Sequence, residues 1–502
     1  MCDYCMKHRL QPTRPVSVSR GARILLAVGV CAYIAFYLFW AIRDYDNFGT
    51  YGFDFGIHDQ AVWLLSRGHT PFVTISGANY FGDHLSWIMF VLVPFYWIVA
   101  SAKVLLVAQS LALGLAAVPL FLVARLKLRD EWLACGIAWV YFFNPYLGWA
   151  NTDQFHPDVF EVALVFLAFL FVLRGRWRLF LAMVALMMLI KEDVPVLVFG
   201  LGVWVAVLYH RRIGIATAAV SLVWLFVNFR LLLPALSGTG SLSEYVQIHG
   251  NRIPFGGLGG FLRTLVTRPW RVVSAIFGPD RPIYYLQVFA PLGFVPFLSP
   301  STLGAVILPL LANGLSTFGY QYMLKYHYGT LVVPGLLVAA IFGVANVSPR
   351  VRKFLVVFML VTSMVGLWLW GPAPGSRDPG AWEQHPSSYV QAVHEAIDMI
   401  PPDAVVSADF HLVTHVDHRV EVYEFPNPWY LLNWAGGRTG DSLPERVARV
   451  EYVLLSRGLE ERSQKVLDGI LASGDFEIVL DRDGVILLKR YRPAIAGGSG
   501  SS

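Results

Sequence analysis

Charge is scarce in this chain. Of 502 residues, 39 are Lys or Arg and 34 are Asp or Glu, against a hydrophobic share of 56%. A soluble domain of this length needs far more polar surface, so that class is excluded. Cysteine is scarce as well: Cys2 and Cys5 lie in the amino-terminal tail, Cys31 and Cys135 in apolar runs, which excludes a disulfide framework. Cys2, Cys5 and His8 lack a fourth ligand at zinc spacing, and the tail reads as a reduced cytoplasmic segment. No basic tract stands behind the net charge of +5. The cations sit in short clusters at the ends of apolar runs, which speaks against nucleic acid as a partner and supplies a topology signal instead.

What the chain has in abundance is apolar runs near the roughly 20 residues that cross a bilayer core. Arg23 to Arg43 is too long for a signal-peptide core and lacks a small-residue cleavage site, so it reads as a retained first span. Arg9, Arg14, Arg20 and Arg23 precede it and assign the amino terminus to the cytoplasm. The same bias puts the turns at Arg125-Lys127-Arg129, Arg174-Arg176-Arg178, His210-Arg211-Arg212 and Arg350-Arg352-Lys353 inside. The expected fold is mainly α, a polytopic bundle of about eleven transmembrane helices. Its parts are a tail at 1–22, a membrane domain at 23–371 with outer loops at 44–86 and 235–283, an extracytoplasmic α/β domain at 372–496, and a Gly/Ser linker at 497–502.

Periodicity refines this. Ile57 to Ser66 predicts a short helix lying at the membrane interface. Pro94 and Ser101 divide the long run from Trp87 into a shallow piece and a crossing segment from about Ala102 to Ala124. In the last domain, Ser388 to Ile400 predicts a helix, Ala404 to Ala408 and Tyr452 to Leu455 predict buried strands, and Phe476 to Lys489 predicts a hairpin turning at Asp481-Arg482-Asp483-Gly484.

Charged groups beside a bilayer cost free energy, so the acids and histidines at the outer ends of spans mark a polar cavity. Asp54, in Tyr51-Gly52-Phe53-Asp54-Phe55-Gly56, suits a general base, because glycines permit a tight bend and aromatics raise a carboxylate pKa. The plainer alternative is that Asp54 or Asp59 caps the helix that follows. Asp153, His156 and Asp158 have metal-ligand chemistry, but Pro157-Asp158 is also a good helix start, and capping with hydrogen bonding is favoured over metal. Lys191-Glu192-Asp193 reads as an ion-pair cluster or a headgroup contact. Lys325 and Tyr326-His327-Tyr328 carry the same two readings, with interface anchoring as the plainer one. Arg252, Arg263, Arg268, Arg271 and Arg281 lie in a long outer loop exempt from the topology rule and are candidate phosphate ligands. His411, His415 and His418 read as surface histidines.

An acid in the first outer loop, a short helix after it, many spans and an outer carboxy-terminal domain together resemble the GT-C superfamily of lipid-phosphate-sugar glycosyltransferases. Phe53-Asp54-Phe55-Gly56-Ile57-His58-Asp59-Gln60, Gly82-Asp83-His84-Leu85-Ser86, Lys191-Glu192-Asp193 and Tyr326-His327-Tyr328 are similar to motifs of a prokaryotic family of predicted membrane proteins related to that superfamily. The resemblance implies a cytoplasmic-membrane enzyme that moves a sugar from a polyprenyl-phosphate donor to an extracytoplasmic glycan, lipid or protein acceptor. Asp54 matches the catalytic base of an inverting displacement. Asp59, Asp83, His84, Asp153, His156, Lys191, Glu192, Tyr326 and His327 are then substrate-binding candidates, and Lys191, Arg252 and Arg263 phosphate-binding ones. No cofactor is implied, and residue types specify no metal. Superfamily members often show two adjacent acids where Asp54 is flanked by Phe53 and Phe55, so Asp59 and Asp83 stand as alternative bases. A flippase or transporter of lipid-linked saccharides and a non-catalytic envelope-assembly protein are the competing classes. Arg230 is the one strong charge near a span interior, which favours one-sided chemistry over transport.

Overall fold

The structure is a computed structural model that describes residues 17–237, 252–377, 379, 385–435 and 437–491. Cys2, Cys5, His8, Arg9, Arg14 and the 497–502 stretch lie outside the described residues, as does 238–251 of the long loop. The chain divides into two compact units, Met1–Arg43 with Phe81–Trp382, and Asp44–Tyr80 with Glu383–Ser502.

The first unit is helical. Among the described residues five helices are long and apolar enough to cross a bilayer: Arg20–Asp46, which runs on past the unit boundary, Lys103–Leu128, Arg211–Leu236, His327–Ala345 and Pro349–Trp370. Six more apolar helices are shorter, among them Glu131–Phe142, Val159–Leu173, Pro195–Leu208 and Pro300–Leu315. At 1.5 Å per residue such pieces reach only part of a bilayer core of about 30 Å. Local signals set their ends. Asp130 accepts from the Trp132 and Leu133 amides, and Asn144 accepts from Tyr146 N just before Pro145, satisfying amides that a helix start leaves open. The expected break after Trp87 falls between Val93–Ile98 and Lys103–Leu128.

Small residues let the helices approach. A Cβ on Gly202 would lie 2.6 Å from Ala218 N, and one on Gly214 would lie 2.1 Å from Ala206 N. Gly202/Ala206 and Gly214/Ala218 therefore form facing small-residue pairs at four-residue spacing, the pattern that draws helix backbones together in lipid.

The second unit holds a five-stranded sheet, with β3 (Val406–Ala408), β4 (Val422–Glu424), β5 (Tyr452–Ser456), β6 (Phe476–Arg482) and β7 (Val485–Arg490) in the order β4-β3-β5-β7-β6. β3 runs parallel to both its neighbours, and β7 is antiparallel to β5 and β6. The β6–β7 hairpin turns at Asp483 (φ +52°) and Gly484 (φ +86°), the two positive values a two-residue hairpin turn requires. Ser387–Asp398 and Glu461–Ser473 are helices, and Tyr423, Val453, Leu455, Leu467, Ile470 and Leu488 form the core.

The domain boundary differs from the expected one. Residues 44–80 of the first loop belong to the carboxy-terminal unit. Gln60 donates to Thr74 Oγ1 (3.0 Å) and to the Arg419 carbonyl (3.1 Å), and Thr74 Oγ1 in turn donates to the Val422 carbonyl and accepts from Val422 N. The helix Ile57–Ser66 forms where periodicity predicts it, but Ile57 through Val62 are all buried. It is a packed element of this unit, tied by Gln60, rather than a helix lying on a lipid surface.

Candidate active site

Two clusters of ionisable groups stand out, one in each unit. In the membrane unit the stretch 188–194 joins two apolar helices and points consecutive side chains at different partners. Lys191 Nζ donates to Asp158 Oδ1 at 3.0 Å, approaches His327 Nε2 at 3.4 Å and lies 5.5 Å from the Tyr328 ring centre. His327 donates its amide to Asp153 Oδ2 at 2.8 Å, and its Nδ1 lies 3.3 Å from the same oxygen. The lysine has only donors to offer, so Nε2 accepts and the proton of His327 sits on Nδ1, facing Asp153. His156 stacks on His327 with centroids 3.7 Å apart. Asp153, His156, Asp158, Lys191, Glu192 and His327 are all buried.

Neighbouring charges in Lys191-Glu192-Asp193 do not pair with each other. Glu192 bonds His84 Nδ1 (3.2 Å) and the Leu85 amide (3.2 Å). Burial disfavours the His84 imidazolium, but the Asp83 and Glu192 carboxylates outweigh it and push its pKa up to about 9. Burial likewise works against an ionised Glu192, and His84 and Lys191 hold it down at about 2. Asp193 is pushed up to about 6, by burial first. Lys191 loses solvation on burial, yet Asp158 and Asp193 hold its pKa above the usual lysine range.

Asp158 makes no capping bond to the helix Val159–Leu173. The expectation that it caps that helix gives way to its ion pair with Lys191, a stronger partner for a buried carboxylate than a peptide amide. A further acid escaped the sequence reading. Glu161, in the first turn of the same helix, is fully buried, and both its carboxylate oxygens lack a hydrogen-bond partner among the described residues. Arg230 is therefore not the one charge near a span interior, and an acid inside the run Val159 to Leu173 was the available signal.

Asp153, His156 and His327 place one ligand atom each within 4.8 Å of one another. They do not fit a metal as arranged. An ion binds in the plane of an imidazole at about 2.0–2.1 Å, and two rings stacked at 3.7 Å and inclined by 22° share no point in both planes at that distance. Lys191 Nζ also occupies the approach to His327 Nε2. The cluster is a buried set of hydrogen-bonding groups around one ammonium, a chemistry that suits a polar ligand carrying hydroxyls.

Tyr326 packs on Tyr320 at 4.5 Å, and Lys325 lies over Trp149. Arg252 stacks over Phe318 at 4.3 Å, and Arg263 is exposed on the helix Gly257–Thr267. Among the described residues neither arginine bonds to the Lys191 cluster. A cavity of about 440 Å³ opens among Phe255, Trp270, Arg271, Arg281 and Thr317. Arg281 there is held by the Gly314 and Ser316 carbonyls.

In the carboxy-terminal unit the segment Gly52–Gly56 bends sharply before the helix at Ile57. Asp54 adopts φ +67°, ψ −78°, close to the rare γ-turn that costs a non-glycine residue about 1–3 kcal/mol. The helix starts at Gly56, whose lack of a side chain leaves it without a cap of its own. Gly52 N donates to the Phe410 carbonyl at 2.8 Å. A Cβ on Gly52 would lie 2.4 Å from Val413 and 2.6 Å from Glu424 Oε2, which explains the glycine. Glu424 is pushed up to about 8 by burial, then by Asp409 and Asp54. Asp59 is fully buried and meets His418 Nε2 through both oxygens at 3.1 Å. His418 is thus a partner of Asp59 rather than a bystander on the surface. Glu424 and Asp417 were not singled out from sequence, and His418 was read as a surface histidine, because each lies more than 350 positions from the loop it serves.

The comparisons with known proteins agree with this architecture. The chain belongs to the DUF2079 family of predicted membrane proteins, whose pattern matches residues 44–487. No curated protein matches it. Among solved structures, ArnT from Cupriavidus metallidurans in the apo state is similar at a TM-score of 0.51 and 15% identity, covering 91% of this chain and 97% of that one. The same protein bound to undecaprenyl phosphate gives 0.49 and 13%, covering 94% and 98%. The fold is GT-C-like, a membrane helix bundle with a small sheet near its carboxy terminus.

Proposed function

We propose that this DUF2079 family member is an integral membrane glycosyltransferase that moves a sugar from a polyprenyl-phosphate donor to an acceptor hydroxyl, with Asp54 as general base. The observation that carries the reading is the backbone of Asp54. A carboxylate held in a strained left-handed turn, in a GT-C-like fold, at the first-loop position where that superfamily keeps its base, is best explained by chemistry that needs it there. ArnT, whose fold this chain shares, binds undecaprenyl phosphate, which supports a donor of that class.

In this mechanism Asp54 takes the proton of the acceptor hydroxyl as its oxygen bonds C1 of the sugar. The C1–O bond to phosphate breaks with its electron pair going to the leaving polyprenyl phosphate, and the anomeric centre inverts. Within the membrane unit, the buried Asp153, Asp158, Glu192, His84 and His327 are groups that suit sugar hydroxyls, and Lys191 is an ammonium that suits a phosphate. Nucleotide sugars are absent outside the cytoplasmic membrane, which fits a lipid-linked donor with the carboxy-terminal unit on the outer side.

The test incubates the purified protein and its Asp54→Asn variant with a panel of polyprenyl-phosphate sugars and measures release of polyprenyl phosphate. Loss of a general base lowers the rate by about 10²–10⁴. Equal turnover by the variant moves the base to Asp59 or Asp83. One observation favours a second reading, transport of a lipid-linked saccharide: Glu161, buried in an apolar helix with neither oxygen hydrogen-bonded, is the kind of group that carries protons in transporters.

A further inference from the structure

We propose that Asp59, Asp417 and His418 form a binding site for a divalent metal of the Zn²⁺ class in the carboxy-terminal unit. The three offer one ligand atom each within 4.8 Å of one another. Two carboxylates and one imidazole are a donor set that zinc and its neighbours accept, and the imidazole argues against Ca²⁺ or Mg²⁺. Asp59 and Asp417 are 0% and 1% exposed, and burying two acids side by side is costly unless a cation joins them.

Asp417 is the second, independent sign. Among the described residues no hydrogen-bond donor faces its buried Oδ2, which lies 3.6 Å from where a Cβ on Gly56 would be, beside the first turn of the helix that carries Asp59.

The spacing also fits. Ligands at about 2.0–2.2 Å from an ion, at angles of about 95–110°, stand about 3.0–3.5 Å apart, and His418 Nε2 is 3.1 Å from each Asp59 oxygen. The imidazole faces the carboxylate edge-on, as a shared ion requires, in contrast to the stacked His156 and His327. The His418 side chain is 26% exposed, which leaves an entry path and an open coordination position. Trp63 lies beside its ring, with centroids 6.0 Å apart and planes inclined by 17°. The site does not depend on the transferase reading, and a metal here would bind whether or not sugar is transferred.

The experiment titrates the full-length, metal-stripped protein in detergent with Co²⁺ alone, reading its visible d–d absorption, and with Zn²⁺ alone by calorimetry. The wild type is expected to bind one ion of each. Asp417→Asn and His418→Gln are expected to weaken binding at least about tenfold, while His156→Gln leaves it unchanged. Asp417→Asn keeps the shape of the side chain and relieves the burial of two acids side by side, so its thermal unfolding without metal should match or exceed the wild type, separating lost ligation from lost fold. Absence of a Co²⁺ band in the wild type overturns the site, as does wild-type affinity in both ligand variants or loss of binding in His156→Gln.

Discussion

Glu424 shows how one buried side chain ties pH to the surroundings of Asp54. It ionises only near pH 8, because burial, Asp409 and Asp54 all disfavour its charge. A carboxyl whose pKa is higher folded than unfolded favours the folded state while protonated. That contribution is complete below the unfolded value of 4.5 and is lost as pH rises toward 8. Glu424→Gln keeps the neutral form at every pH. The Tm advantage of this variant over the wild type should therefore grow between pH 4.5 and about 8 and level off above. A constant difference across that range would show that Glu424 titrates normally. Lys191 and His327, which the fold brings within 3.4 Å of each other, were legible from sequence because charges beside apolar runs are expensive and few. Their partners were not, since Lys191 meets Asp158 and His327 meets Asp153 across long stretches of chain.

Elements were easier to read than contacts. The helix at 57–66, the strands at 406–408 and 452–456 and the hairpin at Asp483-Gly484 follow periodicity and turn chemistry, which are local. β4 escaped, because three residues carry little pattern, and so did the placement of the first loop, which rests on Gln60 and Thr74 reaching Arg419 and Val422. The close approach of Pro195–Leu208 to Arg211–Val227 gives a test at this scale. Gly214→Leu forces a side chain into the backbone of Ala206, and overpacking of this kind costs about 1–3 kcal/mol. Thermal unfolding in detergent should fall by several degrees for this variant and hardly at all for Gly304→Leu, where an added Cβ meets nothing within 4 Å. Equal loss in both would deny the helix contact.

For the whole molecule, composition alone established a polytopic membrane protein, and the GT-C-like fold with its small mixed sheet agrees with the expected class. The two units each hold their own ionisable cluster, one built around an ammonium and hydrogen-bonding groups, the other around a strained aspartate and buried acids. The decisive measurement follows purified protein in lipid nanodiscs, supplied with polyprenyl-phosphate sugars and envelope acceptors, by mass spectrometry of both lipid and acceptor. The account expects free polyprenyl phosphate to accumulate in step with glycosylated acceptor. Lipid-linked sugar that stays intact under every donor, while crossing the bilayer in matched proteoliposomes, would contradict it.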